Sequence, residues 1–301
     1  MLLQSGKKSR QTAHPIHNRY EVPPMSYKII ADSSSDLFAL DGADYAFVPL
    51  TIHCEDKSFT DGPTLDIAAM NAALKASKKP SGTSCPSIGD WIEAFSGAEE
   101  VFAVTITGSL SGSYASAVAA ADQYCTAHPG RKVCVIDSLS TGPEMVLLID
   151  KIVACKRNGV SFEQTEQAVR DYAKRTHLLF ALQSMNNLVK NGRISRAKAT
   201  IAGVLGIRAI GKASEKGTLE MLKTCRGENK TVAGLYEEMI AHGYTGGRVF
   251  IAHCLNPALA DKTEQIIRKT FPNAEIAIRP TGGLCSYYAE EGGILVGYES
   301  N

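Results

Sequence analysis

The sequence has no run of about 20 apolar residues, the length that a membrane-spanning helix needs. Its longest aliphatic stretches, such as Met145-Val146-Leu147-Leu148-Ile149, fall far short of it. Neither charge is in excess, with 32 Lys and Arg against 31 Asp and Glu, a formal net charge of +1. That balance argues against a generally polyanion-seeking surface and leaves no nucleic-acid partner expected. The eight cysteines, at 54, 85, 125, 134, 155, 225, 254 and 285, form no C-x-x-C pair and have no His at zinc-finger spacing. No metal site and no disulfide scaffold are therefore expected. No apolar segment of signal-peptide type lies near Met1, so the thiols are read as reduced, mostly buried groups of a cytoplasmic protein. Several catalytic signatures are missing too. There is no Walker lysine after a Gly-rich loop, no G-x-G-x-x-G in the first strand–helix turn, and no H-E-x-x-H. Gly108-Ser109-Leu110-Ser111-Gly112 is not a nucleophile elbow, because its centre is Leu110. No catalytic residue and no cofactor are expected from these patterns.

What is present is 301 residues with 44% apolar and 21% charged content, an ordinary globular composition long enough for two domains. Residues 1–24 stand apart. They hold Lys7, Lys8, Arg10 and Arg19 against Glu21 alone and are interrupted by Pro15, Pro23 and Pro24, which reads as a disordered leader. A weaker alternative makes His14 and His17 metal ligands. The body that follows is slightly acidic, with 28 basic and 30 acidic residues.

From Tyr27 onward, apolar strands alternate with helices. Strands are expected at 27–31, 46–52, 101–106 and 133–136, and helices at about 64–77, 87–96, 112–127, 143–158 and 161–175. That alternation predicts a parallel sheet covered on both faces. After Arg175 the pattern changes. Six strand candidates (178–182, 207–210, 219–223, 249–252, 276–278, 294–296) are separated by three helical stretches at about 184–205, 228–242 and 256–270. A hairpin is expected around Glu215-Lys216-Gly217. The reading is α/β with two domains: an N-terminal parallel-sheet domain over 25–176 and a C-terminal α+β domain, its sheet mostly antiparallel, over 177–301.

Ligands of open parallel sheets bind beyond the carboxyl ends of the strands. Four hydroxyl-rich segments belong to that edge: Asp32-Ser33-Ser34-Ser35-Asp36, Ser81-Gly82-Thr83-Ser84-Cys85-Pro86-Ser87, Thr107-Gly108-Ser109-Leu110-Ser111-Gly112-Ser113-Tyr114, and Asp137-Ser138-Leu139-Ser140-Thr141-Gly142. Each could merely cap a helix; together they suggest an anion site.

The chain resembles the DegV family, the bacterial fatty-acid-binding proteins that include the binding subunits of fatty acid kinase. The resemblance rests on Ile30-Ala31-Asp32-Ser33-Ser34-Ser35-Asp36-Leu37, Val48-Pro49-Leu50, Thr83-Ser84-Cys85-Pro86-Ser87, Leu110-Ser111-Gly112-Ser113-Tyr114, Val135-Ile136-Asp137-Ser138 and Asn191-Gly192-Arg193-Ile194-Ser195. It implies two α/β domains with a lipid tunnel between them that takes one long-chain fatty acid. It also implies a carboxylate held by Thr83 and Ser111, with Ser84 and the Asp32-Ser33 loop close by. The Arg of the G-R-I-S motif maps to Arg193, and a second Arg to Arg226. A separate fatty acid kinase catalytic subunit is the implied partner. The chain departs from the family where a C-terminal His commonly binds the carboxyl head, because alignment on the final strand puts Tyr288 there. A phenol can donate the same hydrogen bond but carries no positive charge. Either Tyr288 substitutes as a weaker clamp or the ligand differs. A basic cluster, Lys190, Arg193, Arg196 and Lys198, is a candidate docking patch or an ordinary solvated helix face. The competing function is a phosphotransferase or hydrolase using the serine-rich loops, which needs a general base near Ser111, with Asp32 or Asp137 the only candidates.

Overall fold

The computed structural model describes residues 26–195 and 206–301. The leader with His14 and His17, and residues 196–205, with Arg196, Lys198 and the last part of the helix expected up to 205, lie outside the described residues.

The first half is built on β1 (Tyr27–Asp32), β2 (Tyr45–Val48), β3 (Thr51–Cys54), β4 (Lys57–Thr60), α1 (Ile67–Ala76), β5 (Ser81–Ser84), α2 (Ile88–Phe95), β6 (Glu100–Thr105), α3 (Ser113–Ala127), β7 (Lys132–Asp137), α4 (Pro143–Arg157) and α5 (Phe162–Ala173). Strands β2-β1-β6-β7 form an all-parallel sheet. The period-2 alternation of a strand distributes its apolar residues to both faces. Ile30, Val101 and Ala103 pack with Trp91, Phe95, Ala117 and Tyr124 of α2 and α3. Ile29, Ala31, Phe102 and Val104 pack on α4 and α5.

The expected single strand over 46–52 is two strands. Pro49 has no N–H to continue a ladder, so β2 ends at Val48 and β3 turns into a second sheet. That sheet, β4-β3-β5, is antiparallel and was not anticipated. Ser81–Ser84, part of one of the hydroxyl-rich segments, is an edge strand of it. Its backbone pairs with β3 although its side chains contribute little apolar surface.

The second half contains β8 (Thr176–Leu182), α6 (Asn186–Lys190), β9 (Ile207–Ala213), β10 (Leu219–Arg226), α7 (Glu228–Ala241), β11 (Val249–His253), α8 (Pro257–Thr270), β12 (Ile276–Pro280), α9 (Gly283–Ala289) and β13 (Ile294–Glu299). The sheet order is β10-β9-β8-β13-β11-β12, antiparallel throughout except for β11 with β12. The β9–β10 hairpin turns at Ser214–Thr218 as expected. Helices α7 and α8 cover one face. The other face, carrying Leu178, Phe180, Leu182 and Leu295, looks toward the first half.

Between the sheets lies α4. A helix that is apolar all round belongs in an interior; Met145, Val146, Leu147, Leu148, Ile149 and Ile152 are all buried, and the helix contacts β6, β8, β11 and β13. Its start presses on β13 so closely that a Cβ at Gly297 would sit 2.6 Å from Glu144 N. No helix among the described residues is long and apolar enough to cross a membrane.

Candidate functional site

The inner face of the six-stranded sheet and the loops of the first half enclose a cavity of about 700 Å³ of atom-free space, its open mouth included. Its walls are largely aliphatic: Leu178, Phe180, Leu182, Leu219 and Leu295 from the large sheet, and Leu50, Ile106, Leu110 and Leu284 from the other side. Polar side chains on the lining are few: Thr83, Ser111, Thr141, Arg193 and Tyr288, with the Cys285 thiol. An apolar pocket with a small number of placed polar groups is the usual form of a small-molecule site.

Each polar group is presented by a different local device. Thr83 is on the edge strand β5, where alternation turns residues 81 and 83 toward α9. There Ser81 Oγ meets Tyr287 Oη at 2.8 Å and Thr83 Oγ1 meets Tyr288 Oη at 2.9 Å. Two consecutive tyrosines thus match two alternate hydroxyls, and the phenol rings pack edge to face at 4.9 Å between centroids. Tyr287 is fully buried and its Oη also accepts from Asn191 Nδ2 at 2.9 Å, so it supports the site from behind.

Arg193 follows the end of α6. Gly192 has φ +70°, which glycine adopts at little cost, and the N–H groups of Gly192 and Arg193 return to the carbonyls of Val189 and Leu188. This cap stops the helix well before 205 and delivers Arg193 to the cavity wall. Ser111 lies in the turn before α3, its Oγ accepting from Ser113 N at 3.2 Å.

Buried carboxylates organise the surrounding loops. Asp32 accepts from Ser34 N, Ser34 Oγ, Ile106 N and Ser113 Oγ, and burial nevertheless pushes its pKa up to about 6. Asp137 accepts from Gly108 N and Leu139 N. Both aspartates are committed to these donors, and neither hydrogen-bonds Ser111. The general base that a phosphotransferase or hydrolase at Ser111 needs is thus not supplied by either candidate.

A family model described as "Uncharacterised protein, DegV family" matches residues 26–301. The chain belongs to the DegV family. A DegV domain-containing protein of Streptococcus pneumoniae is 47% identical over 279 residues, covering 91% of this chain and 99% of that one. Among solved structures, the Streptococcus pneumoniae fatty acid kinase (Fak) B3 protein loaded with linoleic acid superposes with a TM-score of 0.90 at 46% identity, covering 92% of this chain and 100% of the other. A DegV family protein from Eubacterium eligens loaded with heptadecanoic acid gives a TM-score of 0.90 at 42% identity with the same coverage.

Of the six residues singled out from the sequence, Thr83, Ser111, Arg193 and Tyr288 line one cavity. Ser84 does not. It is the next residue along β5 and so points the opposite way, exposed, with its Oγ 2.9 Å from His53 Nε2. Ser33 does not either, being fully buried with its Oγ accepting from Leu50 N at 2.9 Å. Thr141 and Cys285 are lining residues that the sequence reading did not single out, although Thr141 stands in one of the four hydroxyl-rich segments. Arg226 ends β10 and is exposed. All eight cysteines are free thiols.

Proposed function

We propose that this chain binds one long-chain fatty acid in the cavity between residues 25–176 and 177–301, taken as its two domains. Thr83, Ser111 and Tyr288 hold the carboxylate, Arg193 contributes positive charge, and the bound acid is presented in the cytoplasm to a separate fatty acid kinase catalytic subunit. The observation that carries this reading is the cavity itself: aliphatic along its length, with hydroxyls contributed by β5, α9 and the Ser111 turn. The solved relatives loaded with linoleic and heptadecanoic acids support the ligand class, and the fatty acid kinase B3 protein supports the partner.

Magnitudes divide the labour. About 14 buried methylenes at roughly 0.8 kcal/mol each gain on the order of 11 kcal/mol gross. A hydroxyl–carboxylate hydrogen bond contributes about 1.5–3 kcal/mol net. The aliphatic walls thus supply most of the affinity and the hydroxyls fix the direction of the chain.

Extraction of the purified protein with organic solvent, followed by mass spectrometry, is expected to release an equimolar fatty acid. Leu110→Trp is the control. Leu110 is half-buried on the lining, and an indole there fills the channel, so this variant is expected to release none. A wild-type protein that carries no fatty acid and takes up none in a direct titration overturns the reading.

A further inference from the structure

Helix α9 is held by two carboxylates far away in sequence. Asp61 accepts from Gly283 N at 2.6 Å and Leu284 N at 3.0 Å, and Asp36 accepts from Gly282 N at 2.8 Å. The fit is tight. A Cβ at Gly282 would lie 2.8 Å from the Phe38 ring and 3.0 Å from Asp36 Oδ1, and one at Gly283 would lie 2.6 Å from Leu65 and 2.9 Å from Asp61 Oδ1. Asp61 is almost completely buried, and Asp36 Oδ2 is a buried oxygen with no hydrogen-bond partner among the described residues. Neither carboxylate forms an ion pair with a described Lys or Arg. Burying two carboxylates without a cation is costly, and apolar residues would fill the space at less cost. What they share is the placement of a helix start. Five residues further on, about 7.5 Å along a helix, that start delivers the Tyr288 hydroxyl to Thr83.

We propose that Asp36 and Asp61 are positioning residues for Tyr288: by gripping three backbone N–H groups at the start of α9, they set the phenol where it meets the carboxylate end of the ligand. The proposal rests on the head-group reading given above.

The test is a double-mutant cycle on fatty-acid affinity, with thermal stability recorded alongside. Asp61→Asn keeps one acceptor and turns an NH2 against a backbone N–H, and Tyr288→Phe removes the hydroxyl. Each alone is expected to weaken binding about tenfold or more, the worth of one hydrogen bond to a charged group. In the Tyr288→Phe background Asp61→Asn is expected to cost less than about twofold, because the group it positions is gone. Asp36→Ala, run through the same cycle, gives the same pattern and serves if Asp61→Asn does not fold. An equal loss in both backgrounds, or no loss in either, overturns the proposal. A different failure marks the head-group reading instead: Tyr288→Phe and Thr83→Val both leaving affinity at the wild-type level.

Discussion

Two groups of hydroxyl side chains in this protein share a functional group and have opposite uses. In the Asp32–Asp36 loop every serine is consumed by the chain. Ser33 Oγ accepts from Leu50 N, Ser34 Oγ donates to Asp32, and Ser35 Oγ accepts from Leu37 N. All three are buried. Around the cavity, Thr83, Ser111 and Tyr288 each make one hydrogen bond within the described residues. A hydroxyl offers one donor and two acceptor positions, so these side chains keep capacity that the fold does not use. Residue type is therefore a poor guide to a binding role. What separates the two groups is burial: the three serines are closed off inside the loop, whereas Thr83, Ser111 and Tyr288 keep their spare hydrogen-bonding capacity on the cavity lining.

The largest effect separating them is expected at Asp32. Replacing it with Ala leaves the N–H groups of Ser34 and Ile106 and the hydroxyls of Ser34 and Ser113 without their acceptor in a buried site. At about 1–3 kcal/mol for each buried donor left unsatisfied, a loss of about 3 kcal/mol or more is expected in urea unfolding at equilibrium. A loss below about 1 kcal/mol would mean that the loop is not the structural partner in the comparison.

Burial of these acids also sets a pH slope. The carboxyl of Asp32 is pushed up to about 6, and that of Glu144, at the start of α4, to about 7, in both cases mainly by burial against hydrogen bonds that lower it. An acid whose folded pKa is raised binds its proton more tightly in the native state than in the unfolded chain. Its stabilising contribution is complete below the unfolded pKa, near 4, and is lost as pH rises through the folded value. Stability is thus expected to fall by on the order of 2 kcal/mol or more between about pH 5 and pH 8. Glu144→Gln is expected to flatten the upper part of that slope. A urea-unfolding series that rises over the same interval contradicts the assignment.

The same contrast explains what was legible in the sequence. The parallel sheet and the large second sheet were, because apolar runs of four to seven residues carry their own period. Four of the six candidate residues line one cavity: Thr83, Ser111 and Arg193 sit in short motifs, and Tyr288 was reached by alignment on the final strand. Ser84 and Ser33 lie off that lining for separate reasons. Ser84 required knowing that residues 81–84 form a strand, and a polar edge strand has no apolar alternation to announce it. Ser33 required knowing that Leu50 N, seventeen residues away, needs an acceptor, which only the tertiary structure reveals. Helix α9 was missed because it starts on two glycines and is held by Asp36 and Asp61 rather than by a local cap.

The smallest expected effect is the most discriminating, because it sets one serine of each group against the other. Ser33→Ala leaves Leu50 N buried without its acceptor, and is expected to lower unfolding stability by about 1–2 kcal/mol while changing fatty-acid affinity less than about twofold. Ser111→Ala removes a hydroxyl from the cavity edge, where its one described bond is a long contact to Ser113 N. It is expected to leave stability within about 0.5 kcal/mol of wild type and to weaken binding about tenfold or more. The two measurements, denaturant midpoint and fatty-acid titration, should therefore move in crossed fashion for the two alanines. If Ser111→Ala alters stability and spares affinity, its hydroxyl belongs with the buried loop and the carboxylate is held elsewhere along the cavity.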